Sequence, residues 1–139
     1  MKIYIAGASA EPERVQRAMD AARQLGYEVT LDWLAVIKAV GAANDGLSVG
    51  ERQKYALADL GAIYRADVFW LLAPENASTG AWVELGYAIA VEARLENVVV
   101  SGPGAAKCIF VELADVVAPT DELALQHLKQ LLTQVAFRQ

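Results

Sequence analysis

The segment from Ala66 to Ala90, ADVFWLLAPENASTGAWVELGYAIA, decides the fold of this chain. Its apolar run from Val68 to Ala73 has the length and composition of a strand that is buried on both faces, as in a parallel sheet. Pro74 ends the run, because proline has no N–H to donate to a neighbouring strand. Turn-forming residues follow, and they predict a helix that begins near Ser78 or Thr79.

Strand and helix patterns alternate along the whole chain. Because alternating elements favour right-handed crossovers, we expect a mostly parallel sheet. The predicted fold is a doubly wound α/β sandwich, flavodoxin-like in outline, with helices on both faces and residues 1–139 in a single domain. The other predicted strands are Lys2–Gly7, Tyr27–Leu31 and Asn97–Ser101, and the other predicted helices start at Pro12, Ser48 and Pro119.

Three segments carry weaker patterns. Leu34–Leu47 contains two glycines, an asparagine and an aspartate, and we expect it to be a loop near the site. Cys108–Val117 fits a strand or a helix equally well. The helix from Ser48, which opens with a capping box, is predicted to end near Arg65. Its inward residues are predicted to be Ala56, Leu57, Leu60, Ile63 and Tyr64.

Composition excludes several classes of protein. Hydrophobic residues make up 55% of the 139 residues and charged residues 21%, which is typical of a globular domain. The net charge of −5 argues against a partner that is a nucleic-acid polymer. No apolar run reaches membrane-spanning length and no signal peptide is recognisable. With Cys108 as the single cysteine, we expect a cytoplasmic protein that needs no metal or other cofactor.

Three polar residues stand at positions suited to chemistry. Glu84 falls in the first or second turn of the helix after the central strand, where it either complements the helix dipole or acts on a ligand. Asp59 lies in mid-helix at the flank of an apolar stripe, and is either a solvated acid or a site acid. Tyr4 is in the first strand, where it is either a core tyrosine or a site residue.

A fourth position pairs an acid with an aromatic residue. Asp32 and Trp33 follow the second predicted strand at its carboxyl end, the edge at which open α/β sheets bind ligands. There they would either stack on and orient a flat base, or form a packing corner.

These residues together resemble the nucleoside 2-deoxyribosyltransferase family, which includes a branch of deoxyribonucleoside 5′-monophosphate N-glycosidases. The resemblance rests on Tyr4-Ile5-Ala6-Gly7, on Asp59, and on the run from Ser78 to Ala88, STGAWVELGYA. Asp59 precedes Glu84 by 25 residues. The match covers most of the chain and is weakest in the middle loop and the last third.

The resemblance implies a role for each catalytic candidate. Glu84 matches the nucleophile that attacks the anomeric carbon of the sugar. Asp59 matches the acid that assists departure of the base or holds the sugar and the nucleophile. Tyr4 matches the tyrosine that orients the nucleophile.

The resemblance also implies how the 5′ end of a substrate would be held. Ser78 stands where the transferases carry an aspartate for the 5′-hydroxyl and the monophosphate glycosidases carry serine, and Gly80 matches a glycine of the phosphate loop. Gly7 and Ser9 are further candidates for substrate binding, although Ala8 replaces a serine of the glycosidases. Their phosphate-binding arginine has no clear counterpart here, and Arg14 is the nearest guess.

The implied activity is cleavage of the N-glycosidic bond of a 2′-deoxynucleoside or its 5′-monophosphate, with transfer of the sugar to another base or to water. Such cleavage builds oxocarbenium character that one carboxylate can trap while a second acid protonates the leaving base. The alternatives are another nucleotide glycohydrolase, for instance one that acts on NAD, and a nucleotide-binding sensor without turnover. The family shares its sites between subunits, so a homodimer or higher homo-oligomer is expected.

Overall fold

The computed structural model describes residues 1–41 and 46–138 and has one five-stranded sheet in the order β2-β1-β3-β4-β5, with all strands parallel. This is the doubly wound, flavodoxin-like order, so the predicted fold class is confirmed. The strands are β1 Lys2–Ala6, β2 Glu28–Val29, β3 Val68–Leu72, β4 Asn97–Ser101 and β5 Val116–Ala118. The helices are α1 Pro12–Leu25, α2 Trp33–Val40, α3 Val49–Tyr64, α4 Gly80–Ala90 and α5 Asp121–Arg138.

The centre of the sheet is the pair β1 and β3, which run side by side with Tyr4 opposite Phe69 and Ile5 opposite Trp70. All five residues of β3 are buried, as its apolar run predicts. Helices α1 and α5 pack together on one face of the sheet, and α3 and α4 pack together on the other. The chain leaves β1 in one direction and β3 in the other, so a crevice forms above their carboxyl ends.

Local signals in the sequence set the helix ends. Pro12 occupies the first turn of α1, and Gly26 ends it with a φ of 100°, a conformation that glycine adopts without strain. Ser48 and Glu51 form the predicted capping box at the start of α3. The helix after the central strand begins at Gly80, next to the predicted start.

The prediction of a loop over Leu34–Leu47 is wrong in its first half. Trp33–Val40 forms α2, because Asp32 caps its first turn and Gly41 ends it at a φ of 63°. These two caps favour a helix over a loop in this segment. Residues 42–45 of that predicted loop lie outside the described residues.

Other boundaries also differ from the prediction. β2 is an edge strand in which only Glu28 and Val29 pair with β1. The ambiguous Cys108–Val117 segment contains a 3₁₀ turn, Ile109–Leu113, and then enters β5. Of the residues predicted to face inward from α3, only Ile63 is buried and Leu60 is partly buried. The exposed members of that set are Ala56, Leu57 and Tyr64. Among the described helices, none is both long and apolar enough to cross a bilayer.

Candidate active site

Glu84 is carried by α4, the helix that starts directly above the carboxyl end of the central strand. It lies in the second turn of that helix. Its Oε2 atom is buried and has no hydrogen-bond partner among the described residues. Burial raises the pKa of the carboxyl to about 8, the nearby Tyr4 hydroxyl acts to lower it, and the charge of Asp59 adds to the increase. A carboxyl group with a raised pKa and one buried oxygen that has no partner among the described residues is suited to act on a ligand.

Tyr4 reaches the same place from β1. Its side chain is fully buried, and its ring stacks on Phe69 with 6.1 Å between the ring centroids. Burial and the charges of Glu84 and Asp59 raise the pKa of its hydroxyl, which therefore stays protonated as a donor. The hydroxyl has no hydrogen bond of strict geometry among the described residues. The Tyr4 hydroxyl lies beside Glu84 and can donate a hydrogen bond to the Glu84 carboxylate when a ligand is bound.

Asp59 completes the group from α3. The residue is half-buried, and burial raises its pKa to about 6. Its charge raises the pKa values of both Glu84 and Tyr4, which places it beside them. The structure thus brings together three residues from three elements that are far apart in sequence.

The two carboxyls form a coupled pair. With pKa values of about 6 for Asp59 and about 8 for Glu84, the pair holds about one proton at neutral pH. One ionised and one protonated carboxyl in a dry crevice can supply a nucleophile and an acid at the same pH. A fully solvated helix acid would not have a raised pKa.

The loops at the mouth of the crevice carry the predicted substrate-binding residues. Gly80 leaves space beside Glu84, since a Cβ built on it would lie 4.0 Å from Oε1. Ser78 is partly buried just before α4, and Ser9 is exposed in the turn after β1. Gly7 is required by close packing, because a Cβ there would lie 2.8 Å from Val15.

Asp32 and Trp33 follow β2, and each has structural partners. Asp32 accepts a hydrogen bond from the Ala35 N–H and pairs with Arg23 at 2.7 Å. The Trp33 indole donates to the Ile5 carbonyl at 2.8 Å and is largely buried. These contacts describe a packing corner, and contact of either residue with a substrate stays a prediction.

Arg14, the guessed phosphate ligand, has all five of its N–H donors directed at protein acceptors. Nε and Nη2 donate to the two carboxylate oxygens of Asp121 at 2.7 and 2.9 Å. Nη1 donates to Glu11 at 3.0 Å and to the Ala73 carbonyl at 2.8 Å, and Nη2 also reaches the Ser101 carbonyl at 3.3 Å. The guess is therefore not supported, since no donor remains for a phosphate.

Sequence reasoning missed Glu11. Its side chain sits at the start of α1, accepts from Arg14, and reaches the loop after β3. An acid directly before Pro12 is a local signal of a helix start. Its hydrogen-bond partners, however, lie 3 residues away in one case and more than 60 residues away in the others. In residues 1–41 and 46–138, no group of three or more His, Cys, Asp or Glu is arranged to hold a metal ion.

No protein-family model matches the chain, and no curated protein matches it. Solved structures do. A 2-deoxyribosyltransferase from Bacillus psychrosaccharolyticus shares 24% identity over 74% of this chain and 73% of its own, with a TM-score of 0.58. A conserved protein from Enterococcus faecalis V583 shares 20% identity over 94% of this chain and 98% of its own, with a TM-score of 0.62. A CMP N-glycosidase from Clostridium botulinum shares 18% identity over 94% of this chain and 98% of its own, with a TM-score of 0.58. At these identities the likeness establishes the shared fold.

Proposed function

We propose that this chain cleaves the N-glycosidic bond of 2′-deoxynucleosides or their 5′-monophosphates through a glycosyl-enzyme intermediate on Glu84. The observation that carries the proposal is the Glu84 carboxyl beside Tyr4 and Asp59, whose buried Oε2 atom has no partner among the described residues. The sequence resemblance and the fold shared with a 2-deoxyribosyltransferase and a CMP N-glycosidase support the same chemistry.

The first step breaks the bond between C1′ and the base nitrogen. Glu84 attacks C1′ as a carboxylate, the electron pair of the C–N bond goes to the base, and an ester forms between Glu84 and the sugar. The base leaves with a proton from Asp59. The two carboxyls share about one proton, and attack by Glu84 as a carboxylate requires that proton to lie on Asp59. Positive charge developing on the sugar favours this, because it stabilises the ionised Glu84.

The second step breaks the ester. A water oxygen or the nitrogen of a second base attacks C1′, the C–O bond to Glu84 breaks, and the carboxylate is restored. Asp59, ionised by the first step, takes the proton that the incoming water or base loses. Tyr4 donates to Glu84 as the carboxylate is restored, which lowers the basicity of the leaving carboxylate.

The 5′ end of the substrate is bound by the loop before α4. The first turn of that helix offers free N–H groups and a positive dipole end, which suit a phosphate. Ser78 adds a hydroxyl donor without negative charge, and Gly80 lets the ligand approach the backbone. Ser9, from the turn after β1, borders the same mouth. These contacts favour a 5′-monophosphate over a free 5′-hydroxyl.

The test is a chromatographic assay of each common 2′-deoxynucleoside and its 5′-monophosphate, with and without a second free base. We expect free base from a monophosphate with wild type and none with Glu84→Ala. A new nucleoside that forms only with an acceptor base would identify a transferase. No turnover of any of these by wild type overturns the proposal. Release of nicotinamide from NAD would then favour the other glycohydrolase, and tight nucleotide binding unaffected by Glu84→Gln would favour a sensor.

We propose further that two or more copies of the chain associate. Helix α4 packs against α3 and against the Ile109–Leu113 turn, and all three segments expose large apolar side chains. Exposed apolar groups concentrated on neighbouring segments are typical of an interface. The side chains are Leu57, Val83, Ile109, Phe110 and Leu113. A monomeric mass by light scattering at micromolar concentration would overturn this part of the proposal.

A further inference from the structure

The loop that joins β3 to α4 is fixed at its start by contacts from several directions. We call residues 73–76 the β3–α4 loop. The Ala73 N–H donates to the Ser101 carbonyl at 2.8 Å, and the Ala73 carbonyl accepts from Arg14. Lys107 donates to the Glu75 carbonyl at 2.7 Å. Gly104 lies directly under the loop, since a Cβ there would come within 2.4 Å of the Pro74 carbonyl oxygen.

Glu11 holds the far end of this loop with one oxygen. Its Oε2 accepts from the backbone N–H groups of Glu75 at 3.1 Å and Asn76 at 3.2 Å, while its Oε1 accepts from Arg14 at 3.0 Å. Its side chain is 10% exposed. Both carboxylate oxygens are therefore committed, one to the loop and one to a cation.

The cation that holds Glu11 is itself rigidly anchored. Arg14 forms a two-pronged ion pair with Asp121, and Asp121 accepts from the Ser101 hydroxyl at 2.6 Å. The Ser101 hydroxyl in turn accepts from the Trp70 indole at 2.9 Å, inside the sheet. A continuous path of hydrogen bonds thus joins the core of the sheet to the β3–α4 loop, and Glu11 is its last member.

We propose that Glu11 is a positioning residue, which holds the β3–α4 loop and so places Ser78 and the first turn of α4 for the 5′ end of the substrate. Ser78 follows the clamped Asn76 by two residues. Glu11 also belongs to the turn after β1 that carries Ser9, so one carboxylate ties together the two loops at the mouth of the crevice. This inference rests on the proposed function.

The proposal predicts an effect on binding rather than on bond cleavage. Glu84, Asp59 and Tyr4 are held by α4, α3 and β1, and Glu11 makes no hydrogen bond to any of them. Loss of the Glu11 hydrogen bonds leaves these three residues in place but frees the segment that would contact the 5′ group. KM for a monophosphate should therefore rise while kcat changes little.

The main variant is Glu11→Gln, which keeps the shape of the side chain. If its amide oxygen faces the loop, its NH₂ group meets the donors of Arg14; if it is turned round, it meets the loop N–H groups. Either way one set of contacts is lost. We expect KM for the preferred monophosphate to rise about 10-fold, which corresponds to about 1.4 kcal/mol, with kcat within about twofold of wild type. Glu11→Asp keeps the charge but is one methylene shorter, and should give a smaller rise.

The control variant is Glu13→Gln, which removes an acid from the same turn of α1 and should leave KM unchanged. A second readout needs no substrate: hydrogen exchange of the Glu75 and Asn76 amides by NMR should speed up in Glu11→Gln and not in Glu13→Gln. Faster exchange with an unchanged KM would overturn the positioning role, and so would unchanged exchange. An inactive wild type would instead overturn the proposed function, and this inference with it.

Discussion

Two groups of partly buried ionisable residues lie at opposite faces of the same sheet, and the pKa values of their carboxyl groups shift in opposite directions. On the α3 and α4 face, burial raises the pKa values of Glu84 and Asp59. On the α1 and α5 face, burial also acts to raise the pKa values of Asp121 and Glu11, but hydrogen bonds from Arg14 and others lower both below their usual values. Burial alone therefore does not distinguish the groups.

The difference lies in whether each polar atom has a partner. The Arg14 group is a closed network in which the guanidinium satisfies two carboxylates and two carbonyls. The Glu84 group leaves a carboxylate oxygen and the Tyr4 hydroxyl without partners among the described residues. Unpartnered buried polar atoms cost stability, so a fold retains them where they serve a ligand. The first group holds the structure together, and the second is the candidate site.

Removing Glu84 gives the largest expected effect on activity. Glu84→Gln keeps the volume of the side chain but removes the nucleophile, so kcat/KM in the base-release assay should fall on the order of 10³-fold or more. The matched control is Glu92→Gln, an exposed acid just beyond α4, which should retain full activity. Turnover by Glu84→Gln within tenfold of wild type would show that Glu84 is not the nucleophile.

Removing Arg14 gives the largest expected effect on stability. Arg14→Leu leaves the partly buried carboxylates of Asp121 and Glu11 without their cation, and should lower the free energy of unfolding by about 3 kcal/mol. The control is Arg138→Leu, whose contact with Glu96 is exposed and 4.0 Å long, and whose loss should cost less than about 0.5 kcal/mol. Urea denaturation measures both. If Arg14→Leu is as stable as Arg138→Leu, the Arg14 network is not structural.

The pH dependence of stability should separate the groups further. The pKa of Glu84 rises from 4.5 to about 8 on folding, so its protonated form favours the fold below pH 4.5, and that contribution is lost as the pH rises through 8. Glu84→Gln has no such loss. It should match wild type near pH 5 and be more stable above pH 8, by about 1.4 kcal/mol for each unit of pKa difference that the folded protein maintains. A stability difference that does not change with pH would show that the fold does not raise the pKa of Glu84.

The fold could be predicted because its signals are local. The apolar run of β3, Pro12 at the start of α1 and the capping box at Ser48 each fix one element without knowledge of the rest. Wrong predictions arose where tertiary context decides. Leu57 follows the helical period but faces outward, because α3 meets the sheet through other residues. In α2 the wrong prediction has a local cause instead, because Asp32 and Gly41 cap a helix where the turn-forming residues predict a loop.

The site could be predicted only in part. Glu84, Asp59 and Tyr4 are predicted as site residues from their positions in the chain and from the family resemblance, and their catalytic roles stay predictions. Glu11 was not found, because its importance comes from hydrogen bonds to a loop more than 60 residues away. Long-range partners of this kind leave no periodic or motif signal in a single sequence.

Tyr4→Phe gives the smallest expected effect, with opposite signs for activity and stability. The change removes a buried hydroxyl that has no strict hydrogen bond among the described residues and keeps the ring on Phe69. Because no good contact is lost, the free energy of unfolding should stay the same or rise by about 1 kcal/mol. The base-release rate should fall about 10-fold, since Glu84 loses the donor that orients it.

The chain offers a matched control for this variant in Tyr27, another buried tyrosine. The Tyr27 hydroxyl donates to the Leu128 carbonyl at 2.8 Å, between β2 and α5. Tyr27→Phe removes that hydrogen bond, so it should lower the free energy of unfolding by about 1 kcal/mol and leave turnover unchanged. The two substitutions delete the same atom from two buried tyrosines. If both substitutions destabilise the protein equally and neither slows turnover, the Tyr4 hydroxyl is an ordinary core group. The polar groups on the two faces of the sheet would then not differ in the way described above.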